Sequence, residues 1–275
     1  MTDEVILTRY LYNYVEVRQS LFISFLNHDI EESLYWAYEL YYSGYKNIFI
    51  EFLIDIYLIL YKLDNPEMEQ LFMKQLDILR IDNDELLFGN IIATLATRQY
   101  NLQKFCKKYL HIDTIHTISE KKPKLLVNLT KEFIEQYKTK TDNCVYRTLR
   151  NVIKYPIRKN MNKLFNASSI FDYDPMRNIY HNEWLYFTRK CPIWSERISE
   201  YNGISDDTNK TIVFPSDDEF EEFYEKWNYE PDEQPSHVQT SLMGAKNYDS
   251  INIKEFCIKY NLTMKFKKIR TRERK

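Results

Sequence analysis

Over the first 110 positions apolar residues recur every three or four residues, broken at short intervals by cap and stop signals, which predicts a series of helices. Asp29 with Glu32 three residues later reads as a capping box ahead of the run Leu34 to Tyr42, and Gly44 falls where a left-handed residue ends a helix, so a helix is expected over 30–43. A second is expected over 48–62. Asp64-Asn65-Pro66 stops it, and Pro66 at a first helical position starts a third that runs to Arg80. Two more are expected over 84–98 and 101–110. Such short links force neighbouring helices to pack antiparallel, as in bundles and solenoids.

Beyond residue 110 the pattern loosens. A polar connection over 111–123 ends in Lys121-Lys122-Pro123; helices are expected over 124–138 and 142–155, the latter closed by Pro156, with a further one near 157–166. After Asp172-Tyr173-Asp174-Pro175 come Trp184, Trp194 and Trp227, interrupted by prolines. Thr211-Ile212-Val213-Phe214 reads as a strand whose partner the pattern does not identify. Ser216 with Glu219 opens an acidic helix to Trp227, residues 228–246 read as extended, and a last short helix is expected over 251–260. No fixed repeat period is present. The expected fold is mainly α: an antiparallel bundle or HEAT-like solenoid in the N-terminal part and an irregular α-rich C-terminal part. Its regions would be 1–110, a basic helical stretch 111–170, a Trp/Pro-containing stretch 171–264 and a basic tail 265–275.

Composition narrows the chemistry. Four glycines, each isolated, stand against 23 tyrosines. Phosphate loops, dinucleotide fingerprints and nucleophile elbows need clustered glycine, so those sites are excluded. There is no metalloprotease or kinase motif and no Cys/His pair in a catalytic context, so no enzyme, catalytic residue or cofactor is expected. Cys106, His111, Asp113 and His116 have no completing ligand at metal-site spacing, and no metal is expected. Glu51 and Asp55 lie one turn apart on an apolar helix, where a solvent-facing edge accounts for them. Cys106, Cys144, Cys191 and Cys257 read as buried reduced thiols. The acidic start Met1-Thr2-Asp3-Glu4 is unlike a secretion signal, and Ile48–Leu63 is too short and too charged to span a bilayer, so an intracellular, non-membrane protein is expected.

The net charge of −2 conceals segregation: −9 over 1–100, +8 over 101–212, −8 over 213–250 and +7 over 251–275. Arg147, Arg150, Lys154 and Arg158 form the sharpest basic stripe, with no acid from Arg147 through Lys163. The first three fall on one helix face, and such a face would suit the phosphates of RNA or DNA, with Tyr146 and Tyr155 near enough to stack. The competing reading is a solvated face, or a dock for the chain's own acidic segment 217–233.

Tyr35, Leu40 and Tyr41 fit a Y-x-x-x-x-L-φ spacing, and Tyr180, Leu185 and Tyr186 fit it again. The spacing resembles the helical motif with which initiation-factor scaffolds bind the cap-binding protein, and it implies a partner surface at those six residues. The stretches Glu32–Gly44 and Glu222–Gln234, with the richness in Ile, Asn, Lys and Tyr, resemble uncharacterised helical proteins of nucleocytoplasmic large DNA viruses, the mimivirus-like giant viruses. That resemblance implies a viral origin, in the host cytoplasm (viral factory) or the virion, and carries no functional residues. The expected function is a non-enzymatic scaffold or adaptor for protein partners, a cap-binding protein or other viral proteins among them. An RNA- or DNA-binding protein and a virion structural component are the alternatives.

Overall fold

The Asn13 side chain accepts the backbone N–H groups of Val15 and Glu16 and so opens α1 (Tyr14–Leu26), the first helix in a computed structural model describing residues 5–118, 122, 124–161, 164 and 172–265. Buried around most of its circumference, α1 shows no clean apolar stripe in sequence. Asp29 caps α2 (Ile30–Leu40) through the N–H of Glu32 at 2.9 Å. The return half of the expected capping box is not made, because the Glu32 carboxylate turns inward to Trp36 and Arg158.

A π-helical turn, Tyr41–Tyr45, leads into α3 (Lys46–Ile56), and Gly44 within it takes φ 91°. A Cβ at that position would stand 2.5 Å from the Pro192 Cβ, so both backbone angle and space require glycine. A second π turn, Tyr57–Tyr61, ends α3, and Pro66 begins the 3₁₀ turn that enters α4 (Glu69–Ile81). Asp84 caps α5 (Glu85–Thr97), and α6 (Gln103–Tyr109) follows. The α2 helix packs on α1 and α5, and α4 packs on α3 and α5.

The three helices expected next fail in whole or in part. Over 124–138 only α7 (Lys131–Ile134) and a 3₁₀ turn are helical; residues 124–130 run along α5, whose Thr94 and Asn90 side chains accept the N–H groups of Val127 and Leu129. Over 142–155 only a 3₁₀ turn, Val145–Arg147, and α8 (Thr148–Val152) form. The chain then extends, because the carbonyls of Val152 and Tyr155 accept the hydroxyls of Tyr35 and Tyr12, and because Pro156 disfavours the helical region at Tyr155. Residues 157–161 are likewise not helical; Ile157 and Arg158 donate their N–H groups to Ser241 O and Ser20 Oγ, and most of 162–171 lies outside the described residues.

The next elements are α9 (Tyr173–Asn178), α10 (Trp184–Thr188) and α11 (Pro192–Glu200). The expected strand is present as β3 when β1 (Thr114–His116) and β2 (Ile204–Asp206) are counted first: β3 spans Thr211–Val213 and pairs with β2 as an antiparallel hairpin. Ser216 caps α12 (Asp217–Trp227). The segment 228–246, expected to be extended, contains α13 (Ser236–Met243), which buries Val238, Leu242 and Met243 and stops at Gly244 with φ 77°. Then α14 (Ile253–Lys259) leads to β4 (Leu262–Met264), which pairs antiparallel with β1.

The protein is therefore mainly helical, with two small sheets among the described residues. Its buried apolar side chains form one continuous cluster from Val5 to Leu262 that crosses the expected boundaries at 110 and 170. So do hydrogen bonds from Leu7 N to Phe187 O and from Trp194 Nε1 to Thr8 O, at 3.1 and 3.2 Å. Residues 266–275 of the basic tail lie outside the described residues.

Some of the buried tyrosines hold this core by their hydroxyls as well as their rings. Tyr38, Tyr57 and Tyr100 donate to the carbonyls of Glu85, Asn65 and Leu26 at 2.8–2.9 Å. A buried hydroxyl must find a partner or lose its hydration, so each ring is fixed both by packing and by an acceptor on another part of the chain.

Candidate functional site

The six residues of the doubled tyrosine spacing all point into the core. Tyr35 and Leu40 on α2 and Tyr41 in the π turn are buried, as are Tyr180 in the turn Ile179–Glu183 and Leu185 and Tyr186 on α10. Tyr35 hydrogen-bonds the Tyr12 hydroxyl at 3.0 Å, and Tyr180 donates to Leu11 O. Tyr186 donates to Asp207 at 2.9 Å beneath the Arg189 guanidinium. Burial pushes the Tyr41 hydroxyl up to about 12, with Glu85 and Asp84 adding to it. As folded, these side chains offer no anchor to a second protein.

The basic stripe divides in two. Lys154 pairs with Glu31 at 3.3 Å, and Arg158 grips Glu32 with Nε at 2.7 Å and with Nη2, beside the Trp36 indole N–H, which donates to the same carboxylate at 3.0 Å. The acids that form ion pairs with the stripe are thus on α2; the helix Asp217–Trp227 of the acidic segment touches the turn Val145–Arg147 without an ion pair to the stripe among the described residues. Arg147 and Arg150 remain exposed, each with its guanidinium carbon 5.5 Å from the Tyr146 ring centre. Arg147 Nε donates to the Tyr146 hydroxyl and Arg150 Nε to Gln234, and neither arginine pairs with an acid among the described residues.

Of the metal-like set, Cys106 is buried, His111 and Asp113 are exposed and His116 is half-buried; no group of three His, Cys, Asp or Glu side chains among the described residues is placed to hold a metal. Glu51 pairs with Arg80 at 2.8 Å on the surface, and Asp55 stands at the rim of an apolar pocket of about 280 Å³ lined by Phe22, Phe52, Ile56 and Phe105. Cys144 is exposed, against expectation; the other three thiols are buried.

Two features lay outside the sequence reading. On α4, Leu71, Lys74, Ile78 and Ile81 recur at three- and four-residue steps and face solvent, with Ile81 84% exposed. The N-terminal turn of α3, with Ile48 58% exposed, lies beside the end of α4, where Lys46 reaches Asp82 O and Asn83. Ion pairs rim this surface: Arg80 with Glu51 and Asp77, Lys62 with Glu69, and Lys124 with Glu67.

The second is a polar pocket of about 270 Å³ between the end of α1, the α5–α6 link, β1 and the α14–β4 turn. Its floor is a triple stack in which Tyr100 lies between His28 and His116, with ring centres 5.1 and 5.6 Å away. Around it stand Lys122, Lys259, Tyr260 and Asn261. Burial lowers both histidine pKa values, with Lys122 adding to the effect at His28 and Asp64 opposing it at His116. Desolvation and Arg158 together lower that of Lys259.

No protein-family model, curated protein or solved structure matches this chain.

Proposed function

We propose that this chain is a non-enzymatic helical scaffold that binds protein partners, encoded by a mimivirus-like giant virus and acting in the host cytoplasm (viral factory) or the virion. The N-terminal helices serve as its platform, in a bundle-like or HEAT-like arrangement, and the C-terminal part caps them. The observation carrying this reading is the exposed face of α4. Leu71, Ile78 and Ile81 make an apolar strip rimmed by ion pairs, the anatomy of a protein interface with an apolar centre and a polar rim. Its helical spacing fits the apolar side of an amphipathic helix. The doubled tyrosine spacing adds nothing to this surface, since all six side chains are buried. A cap-binding protein, if it is the partner, docks on α4.

The test is affinity purification, with RNase treatment, of the wild type and of Ile78→Glu/Ile81→Glu from infected cells. The reading expects a protein partner that survives RNase with the wild type and is lost with the folded variant. Equal recovery from both, or recovery that RNase abolishes, rejects it.

A second reading, nucleic-acid binding, rests on the Arg147–Tyr146–Arg150 group, which offers two unpaired cations around one ring. Arg147→Glu/Arg150→Glu would then weaken RNA binding and flatten its salt dependence; unchanged binding sinks it.

A further inference from the structure

The apolar groove beside Asp55 has a polar end that the scaffold reading leaves unused. It lies between α1 and α3, which run side by side in the same direction. Three contacts in chain order show this: Tyr14 with Tyr45 at 4.7 Å, the Arg18 guanidinium with Phe52 at 4.4 Å, and Phe25 with Tyr61 at 6.5 Å, each to a ring centre. The lining recurs at Arg18, Gln19 and Phe22 on α1 and at Phe52, Ile56 and Ile59 along α3 and the π turn after it. Phe105 of α6, its ring 4.8 Å from that of Phe22, stands at the far end. At about 1.5 Å per residue, Phe52 to Ile59 gives the groove a length of roughly 10 Å. At the near end Arg18 Nε and Gln19 Oε1 are buried, and neither has a hydrogen-bond partner among the described residues. Arg18 pairs with no acid among the described residues; its charge lies over the rings of Phe52 and Tyr14. Asp55 lines the mouth but is exposed. A guanidinium stays charged at any working pH, and a buried N–H without an acceptor is costly, so this end calls for an anionic acceptor.

We propose that this groove binds a small carboxylate with an apolar body, of the class of a medium-chain fatty acid. The carboxylate sits on the Arg18 guanidinium, whose fork of N–H groups matches two carboxylate oxygens. Half a turn of the Gln19 amide exchanges its oxygen for an N–H that donates to the same head group. The alkyl chain then runs between α1 and α3 towards Phe22 and Phe105. One cation beside an exposed acid suits a singly charged head better than a phosphate. A volume of about 280 Å³ falls near the lower end of small-molecule sites, and an apolar lining with a few polar groups at one end is their usual make-up.

Calorimetry on the full chain with octanoate, octanol and octylamine tests this, because the three share one chain length and differ in the head group. Wild-type protein should bind octanoate tightest, octanol about 10-fold more weakly for want of a charge-assisted hydrogen bond, and octylamine more weakly still. Arg18→Met should lower octanoate to the affinity of octanol and leave octanol unchanged, a split that a merely structural role for Arg18 would not give. Ile59→Trp, which fills the groove and leaves Arg18 in place, should abolish binding of both. It serves as the second variant should Arg18→Met melt abnormally. No binding of octanoate at millimolar concentration, equal binding of octanol, or undiminished octanoate binding in either variant would overturn the proposal. So would tightest binding of octylamine, which would hand the head group to Asp55.

Discussion

Gly89 of α5 lies against the hydroxyl of Tyr38: a Cβ built on the glycine would stand 2.4 Å from that oxygen, which itself donates to Glu85 O at 2.8 Å. Tyr38 cannot step aside, because its ring is stacked on Tyr42 and Tyr137. Gly89→Ala therefore trades a helix-propensity gain of about 1 kcal/mol against overpacking of about 1–3 kcal/mol, and should be net destabilising. With Tyr38→Phe in the background the nearest obstacle is gone and Leu129 Cδ1, at 3.1 Å, is the neighbour left to give, so the same substitution should cost less. A double-mutant cycle from urea melts reads that coupling; strictly additive effects would contradict the contact.

Arg9 and Glu39 are 4% and 1% exposed and pair at 2.9 Å, and the Arg9 guanidinium also donates to Tyr137 O and Thr139. Arg9→Met strands a buried carboxylate and releases the 137–139 segment, so a loss of about 3–5 kcal/mol is expected. Arg158→Met should cost less, about 1–2 kcal/mol, because Arg158 is 36% exposed and Glu32 keeps the Trp36 indole. Equilibrium unfolding compares them, and a larger effect at Arg158 would reverse the ranking.

Burial pushes the thiols of Cys106 and Cys191 up to about 11 and also raises that of Cys257, whereas Cys144 is exposed. A disulfide reagent at neutral pH should therefore find one fast thiol in the native protein and all four in denaturant. Two or more fast native thiols would contradict the packing around α6, α11 and α14.

Because burial holds the His28 and His116 pKa values below the usual 6.5, folding favours their neutral forms. Their contribution to stability is complete above about 6.5 and is lost as pH falls from there through the lowered folded values. Melting temperature should fall between pH 7.5 and 5.5, and His28→Asn/His116→Asn should shrink that fall. An unchanged pH dependence in the variant would show that neither ring is desolvated.

The helix starts were legible because caps are local: Asp29, Asp84 and Ser216 each accept an N–H three residues on. What failed depended on distant partners. Nothing near Lys154 and Arg158 announces that Glu31 and Glu32, more than 120 residues away, neutralise them. The side chains of α5 that hold 124–130 extended are equally remote. The tyrosine spacing was visible, but spacing does not say which side of a helix is covered, and α2 is covered on every side from Glu32 to Leu40. The face of α4 escaped notice for the opposite reason: its pattern shows apolar positions all along, and only packing reveals that Phe72, Leu76 and Leu79 turn inward while Leu71, Ile78 and Ile81 do not. The histidine stack joins residues from three separate segments that no linear spacing links.

Photo-crosslinking from position 81 tests the central claim most directly. A benzophenone side chain replacing Ile81, activated in infected cells, should give one discrete adduct with a second polypeptide, absent when Ile78→Glu is added. No adduct, or the same adduct from a probe at exposed Glu31 on α2, would contradict a partner surface on α4.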